Sequence, residues 1–302
     1  MSRSALGVAV LLSLAACTGA AYDGGGVTDA DAPSGPPRVT GVLFVERVQT
    51  LPHGDVGTDA VQVGARFLRV VGVGEEALPD LVGMPRMPRA LGCHVDAPQG
   101  APLLDPAEAT VSEVRLLDVG ALEVRSGERA LMLSPRRFPD LWSVVSGVTY
   151  GADGALPLGR LRFSAAGDRA SGVGPFEVEA QAPEPLSGVT VGELALPAPE
   201  GAALELPRRG RLSVRWARPT TAQPDPERDR VAIVFEGAGV VVCGARDEGV
   251  FDVDAATTER LRELLRGGGS VRVHRLRTRA FTAPGLDAGA LVFDLSVAGR
   301  VR

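Results

Sequence analysis

The stretch RLSVRW, residues 211–216, alternates strictly: Leu212, Val214 and Trp216 fall on one side of an extended chain, Arg211, Ser213 and Arg215 on the other. Successive strand side chains point to opposite faces, so this is a strand with one face buried and the other in water. The same period of two runs through Leu291, Phe293, Leu295 and Val297 late in the chain, and through Val61, Val63, Ala65 and Phe67 near the start. All of these are expected to point inward. Gly, Pro and Asp separate the segments, with turn signals at Ala152-Asp-Gly154 and Asp247-Glu-Gly249. Many short strands joined by turns make sandwiches or barrels. The expected class is therefore all-β, with two β-sandwich-like modules.

One segment breaks the pattern. DAATTERLRELLRGGG, residues 254–269, begins with a capping residue, spaces Leu261, Leu264 and Leu265 as one helical face, and stops at Gly267. A short helix is expected there, within the C-terminal module. Pro183-Glu-Pro185, followed closely by Ser187-Gly188, marks the boundary, giving an N-terminal β-rich domain over 38–185 and a C-terminal β-sandwich over 186–302.

The first 16 residues have the proportions of a secretory signal, with Arg3 as the positive end and Ala5 to Ala16 as the apolar run. That run is shorter than the ~20 apolar residues a spanning helix needs. Leu14-Ala15-Ala16-Cys17 resembles the lipobox of bacterial lipoproteins. The resemblance implies that the Cys17 thiol takes a diacylglyceryl group, that the signal is cut just before it, and that the new amino terminus is acylated. Several chains then anchor what a single acyl chain would hold only marginally. Thr18 is not the aspartate that retains some lipoproteins in the inner membrane, so the expected address is the outer membrane or cell surface. Residues 17–37, rich in Gly, Ala, Asp and Pro, read as the lipidated cysteine and a flexible linker.

Composition limits the partners. The chain has no lysine, no asparagine and a single isoleucine, Ile233, so all 32 basic residues are arginine. The missing types have AT-rich codons, and a GC-rich genome explains this better than selection for guanidinium chemistry. A formal net charge of −5 argues against a general nucleic-acid binder, which must neutralise phosphates. No G-x-S-x-G frame is present, and Gly72-Val-Gly-Glu lacks the full dinucleotide fingerprint, so no cofactor is expected.

The residues able to carry chemistry are few. His53, His94 and His274 stand far apart, and Cys93 and His94, as strand neighbours, point to opposite faces. Asp247, Glu248, Asp252 and Asp254 crowd oxygen ligands as a calcium site would, though without the EF-hand order, and each has a duller role in a turn, a cap or a solvated face. Arg275, Arg277 and Arg279, spaced by two, put three guanidiniums on one strand face, either simply solvated or offered to an anionic surface. Cys93 and Cys243 remain once Cys17 is lipidated. They can form a disulfide or stand as two separate buried thiols, and the second is favoured because strands of different domains seldom approach within the ~7 Å a bridge requires.

The C-terminal layout of an alternating strand to Trp216, a strand Val231 to Phe235, Val240-Val-Val-Cys243, an Asp-Glu-Gly turn, Val250-Phe251 and a leucine-rich helix resembles β-sandwich (Ig-like) modules of uncharacterised lipoproteins from GC-rich bacteria, particularly myxobacteria. Gly92-Cys93-His-Val95, Val119-Gly-Ala-Leu-Glu-Val124, Thr149-Tyr150 and Gly174-Pro175-Phe176 are similar in order to the N-terminal region of such proteins. The resemblance implies a fold and a surface address, and no reaction. The expected role is a non-enzymatic binding or structural module of the envelope, with a protein or polysaccharide partner. The alternatives are a lipid-anchored hydrolase and a calcium-stabilised adhesion module.

Overall fold

Leu212, Val214 and Trp216 are buried in the computed structural model, and Arg211 and Arg215 face water. The structure describes residues 37–49, 61–71, 91–96, 113–138, 145–199, 201–220 and 229–302. The strands of the first half are β1 (Arg38–Gln49), β2 (Val61–Val71), β3 (Gly92–Asp96), β4 (Glu113–Leu116), β5 (Leu122–Ser126), β6 (Arg129–Arg137), β7 (Val145–Gly154), β8 (Arg160–Ala165) and β9 (Phe176–Gln181). Those of the second half are β10 (Val189–Val191), β11 (Leu194–Leu196), β12 (Ala203–Leu204), β13 (Leu212–Arg215), β14 (Asp229–Glu236), β15 (Val240–Arg246), β16 (Val250–Val253), β17 (Gly269–Phe281) and β18 (Ala288–Val301). The one helix among the described residues, α1, spans Ala255–Leu264. The all-β class with a short C-terminal helix holds.

Asp254 caps α1 as expected, accepting from the Thr257 backbone N–H at 2.8 Å. That bond holds the Asp254 carboxyl below its usual range. Leu261 and Leu265 drive the helix into the core, with Leu264 against its edge. The expected turn at Ala152-Asp-Gly154 is instead the end of β7, where Gly154 pairs with Val61 and Asp153 with Gln62. The ladder to β2 outweighs the local turn preference, and the chain leaves the sheet after Gly154.

The strands form a large sheet in the order β3-β15-β14-β17-β18-β1-β2-β4-β7-β6-β5-β8-β9, with β12 added beside β18, and a four-stranded sheet ordered β11-β10-β13-β16. The large sheet changes direction where β1 runs parallel to β18, from Thr40 opposite Ala288 to Gln49 opposite Val297. The small sheet and α1 cover the β14, β15, β17 and β18 end, and the layers share a core that includes Trp216, Ile233, Phe235, Leu261 and Val273. This is the sandwich expected of the C-terminal half. The other end of the large sheet curls around a second core containing Leu43, Val63, Phe67, Phe163 and Phe293. There Phe176 of β9 meets Phe67 of β2 at 5.7 Å and Phe281 of β17 at 5.5 Å between ring centroids.

The expected boundary at residues 185/186 needs correction. Before β17 it does divide the cores, the first taking residues from Leu43 to Ala182 and the second starting at Leu186. It does not separate two modules. The hairpin β17–β18 sends Phe281, Leu291 and Phe293 into the first core and Val271, Val273, Val297 and Val301 into the second. Strand β3, from the N-terminal region, pairs with β15 of the sandwich. Two long strands reach further than either core, so all the described residues belong to one compact unit.

Candidate functional site

The seam between the cores is where the arginines of β17 lie. Arg275 and Arg277 share the parity of Val271, Val273 and Phe281, so they point inward with them. Arg275 is 2% exposed. Its Nη2 donates to Asp247 Oδ1 at 3.1 Å, and its Nε sits 2.8 Å from Oδ2, a close charge contact off the hydrogen-bond line. Nη2 also donates to the backbone carbonyl of Ala217 at 2.7 Å, and Nη1 donates to those of Glu184 at 3.0 Å and Pro185 at 3.2 Å. Trp216 Nε1 donates to the same Asp247 Oδ1 at 2.7 Å, which explains how an inward tryptophan satisfies its polar atom. Arg277 makes a two-pronged contact with Asp229, Nε at 2.6 Å and Nη2 at 2.9 Å, and reaches Gln181 O at 3.3 Å. A fixed planar fork suits this work, because guanidinium presents several donors in set directions. The two side chains pin the Gln181–Pro185 linker to the hairpin.

Two candidate sites fall with this geometry. Arg275, Arg277 and Arg279 are not an anionic-surface patch, because only Arg279 is exposed. The sequence carried only part of the signal: Arg275 and Arg277 stand in the apolar register of β17 and take buried partners, whereas Arg279 stands in the same register and is exposed. Asp247, Glu248, Asp252 and Asp254 do not converge on a cation either. Asp247 turns inward to Trp216 and Arg275, Asp254 caps α1, and Glu248 and Asp252 face water, Glu248 with Arg246 at 3.9 Å. Among the described residues no group of three or more His, Cys, Asp or Glu side chains is arranged to hold a metal.

The opposite face of the same strands carries a row of ionisable groups across the β17–β18–β1–β2 joint. His274 Nδ1 lies 2.8 Å from Asp294 Oδ1, and Asp294 stands opposite Glu46 where β18 pairs with β1. Burial, and after it the neighbouring Asp294 carboxylate, hold the Glu46 carboxyl above its usual range, with Arg66 and His274 pulling the other way. Arg66 lies over the Phe44 ring at 4.9 Å. That ring rests on the backbone of Gly64, where a Cβ would come within 2.1 Å of Phe44 Cζ, so β2 needs glycine there. His94 is exposed on β3, and His53 lies outside the described residues, as do Cys17 and the lipobox residues Leu14, Ala15 and Ala16.

Cys93 and Cys243 form a disulfide. The reading as two separate thiols is overturned because β3 crosses to the sandwich and sets Cys93 directly opposite Cys243 in an antiparallel pair. Sequence separation, 150 residues, concealed this neighbourhood. A shallow cavity of about 220 Å³ opens at one end of the first core beside Arg47, Arg129 and Leu156, away from the seam. Among the described residues no helix is long and apolar enough to cross a membrane. No protein-family model matches the chain, and neither does any curated protein.

Proposed function

We propose that the chain is a lipoprotein of the bacterial envelope, cut before Cys17, anchored through acyl chains on that residue at the outer membrane or cell surface, and acting as a non-enzymatic binding or structural module. The observation that carries the reading is the Cys93–Cys243 bridge. A disulfide buried between strands belongs to an oxidising compartment outside the cytoplasm, and the signal and lipobox lead to that same compartment. The resemblance to lipoproteins of GC-rich bacteria points the same way. Broad sheet faces and a shallow cavity suit an extended partner, an envelope protein or a polysaccharide, better than a small substrate. The test is fractionation of Cys17→Ser beside the parent chain. The parent is expected with membranes and to incorporate labelled fatty acid, and the variant to be soluble and unlabelled. A variant that stays with membranes and needs detergent would refute the anchor.

A hydrolase is the second reading, favoured by the His274–Asp294 pair, in which a carboxylate orients an imidazole as it does in many general bases. Turnover of an ester or peptide panel, lost in His274→Ala while the fold is kept, would establish it.

A further inference from the structure

The two sulfurs of the bridge stand in unlike surroundings. Cys243 is 0% exposed in the middle of β15, with Val241 and Ala245 beside it in the sandwich core. Cys93 is only partly buried, at the outer edge of the large sheet, where β3 has β15 on one side and no further strand on the other among the described residues. Its neighbours contribute little to holding β3 in place. His94 is exposed, and Leu91 and Val95 keep 48% and 56% of their surface in water. Cys93 is the β3 residue that packs against the core. A short ladder from Gly92 to Asp96 and one covalent bond thus tie β3 to the sheet.

We propose that Cys93 is a thiol–disulfide exchange site, through which a dithiol releases β3 from β15. A thiolate of the dithiol approaches from the open edge and attacks Cys93 Sγ. As the new sulfur–sulfur bond forms, the Cys93–Cys243 bond breaks, and Cys243 leaves as a thiolate that takes up a proton inside the core. The second thiol of the reductant loses its proton, attacks its own partner sulfur and expels Cys93, which is protonated in turn. Two electrons and two protons have then passed from the dithiol to the bridge, and the dithiol has become a disulfide. The direction follows from access: the sulfur at the edge is attacked and the buried one departs. Release leaves the N–H and C=O groups of β15 that had faced β3 without partners, an open edge that a further strand can join.

The test uses the full-length Cys17→Ser chain produced in an oxidising compartment, whose only remaining cysteines are Cys93 and Cys243. The folded protein is treated with a limiting monothiol such as 2-mercaptoethanol, quenched in acid, and its adduct mapped by peptide mass. The expected result is the adduct on Cys93 and a free thiol on Cys243. Full reduction with dithiothreitol is expected to speed amide exchange ~10-fold or more in Val240–Gly244, with Val231–Phe235 of β14 unchanged. An adduct on Cys243, reduction no faster than global unfolding, or unchanged protection in β15 after reduction would each overturn the proposal.

Discussion

Replacing Arg275 with methionine keeps most of the aliphatic stem and removes the charge at the seam. The consequence can be worked from its partners. Asp247 would remain buried, its side chain 2% exposed, with Trp216 Nε1 as its remaining side-chain donor, and the carbonyls of Glu184, Pro185 and Ala217 would lose the guanidinium. A unit charge pair ~4 Å apart in an effective dielectric of about 20 is worth about 4 kcal/mol. Breaking a buried pair from one side costs ~3–5 kcal/mol, chiefly through the stranded charge. The expected loss for Arg275→Met is therefore ~4 kcal/mol, read as a melting temperature about 10 °C lower at neutral pH. Arg275→Met combined with Asp247→Leu should recover a large part of that loss, since neither member of the pair is then left buried as a lone charge. Urea unfolding of the four members of the cycle measures this. A single variant costing under ~1 kcal/mol, or a double variant costing the sum of the singles, would refute the seam as a coupled buried pair.

Trp216→Phe keeps the ring in the sandwich core but removes its Nε1 donor from Asp247, and should cost ~1–3 kcal/mol in the same unfolding assay. Trp216→Ala should cost more, ~3–5 kcal/mol, because it also leaves a cavity. Glu46 has a folded-state carboxyl raised above its unfolded range, so the folded form binds its proton more tightly. Its stabilising contribution is complete below the unfolded value and lost as pH rises through the raised one. Melting temperatures from pH 4 to 8 should accordingly show Glu46→Gln above the parent at neutral pH, with the gap closing toward pH 4. Millimolar calcium should leave the melting temperature unchanged, because Asp247, Glu248, Asp252 and Asp254 point to separate places; a rise would mean that they gather after all.

What the sequence made legible was local. Period-two alternation put Leu291, Phe293, Leu295 and Val297 inside, and all four are buried, as are Val61, Val63, Ala65 and Phe67. The cap at Asp254 and the leucine spacing defined α1. Pairing between distant strands was not legible, because nothing in Thr40–Gln49 states that its neighbour is Ala288–Val297. That unseen pairing accounts for the corrected domain boundary, and the unseen β3–β15 pair accounts for the disulfide. The arginines were a different failure. Their parity is readable, but three arginines spaced by two read as a solvated face, and the buried partner Asp247 that Arg275 takes instead lies 28 residues away. The His274–Asp294 pair needed the β17–β18 register, which the two strands share but neither announces.

The position of β18 in the order of synthesis has a consequence for biogenesis. It follows every other described strand in the chain, yet it lies between β17 and β1 and supplies Leu291 and Phe293 to one core, Val297 and Val301 to the other. Until it arrives, β1 lacks its neighbour on one side and both cores have an open wall. Nascent chain up to the end of β17 must therefore wait as a partly ordered precursor with apolar surface showing, the condition that holdase chaperones recognise. Contacts between residues about 250 positions apart, such as Thr40 with Ala288, then form in one late, slow step. A truncation that removes only residues 288–302 would leave most of the strands without a folded state in either half.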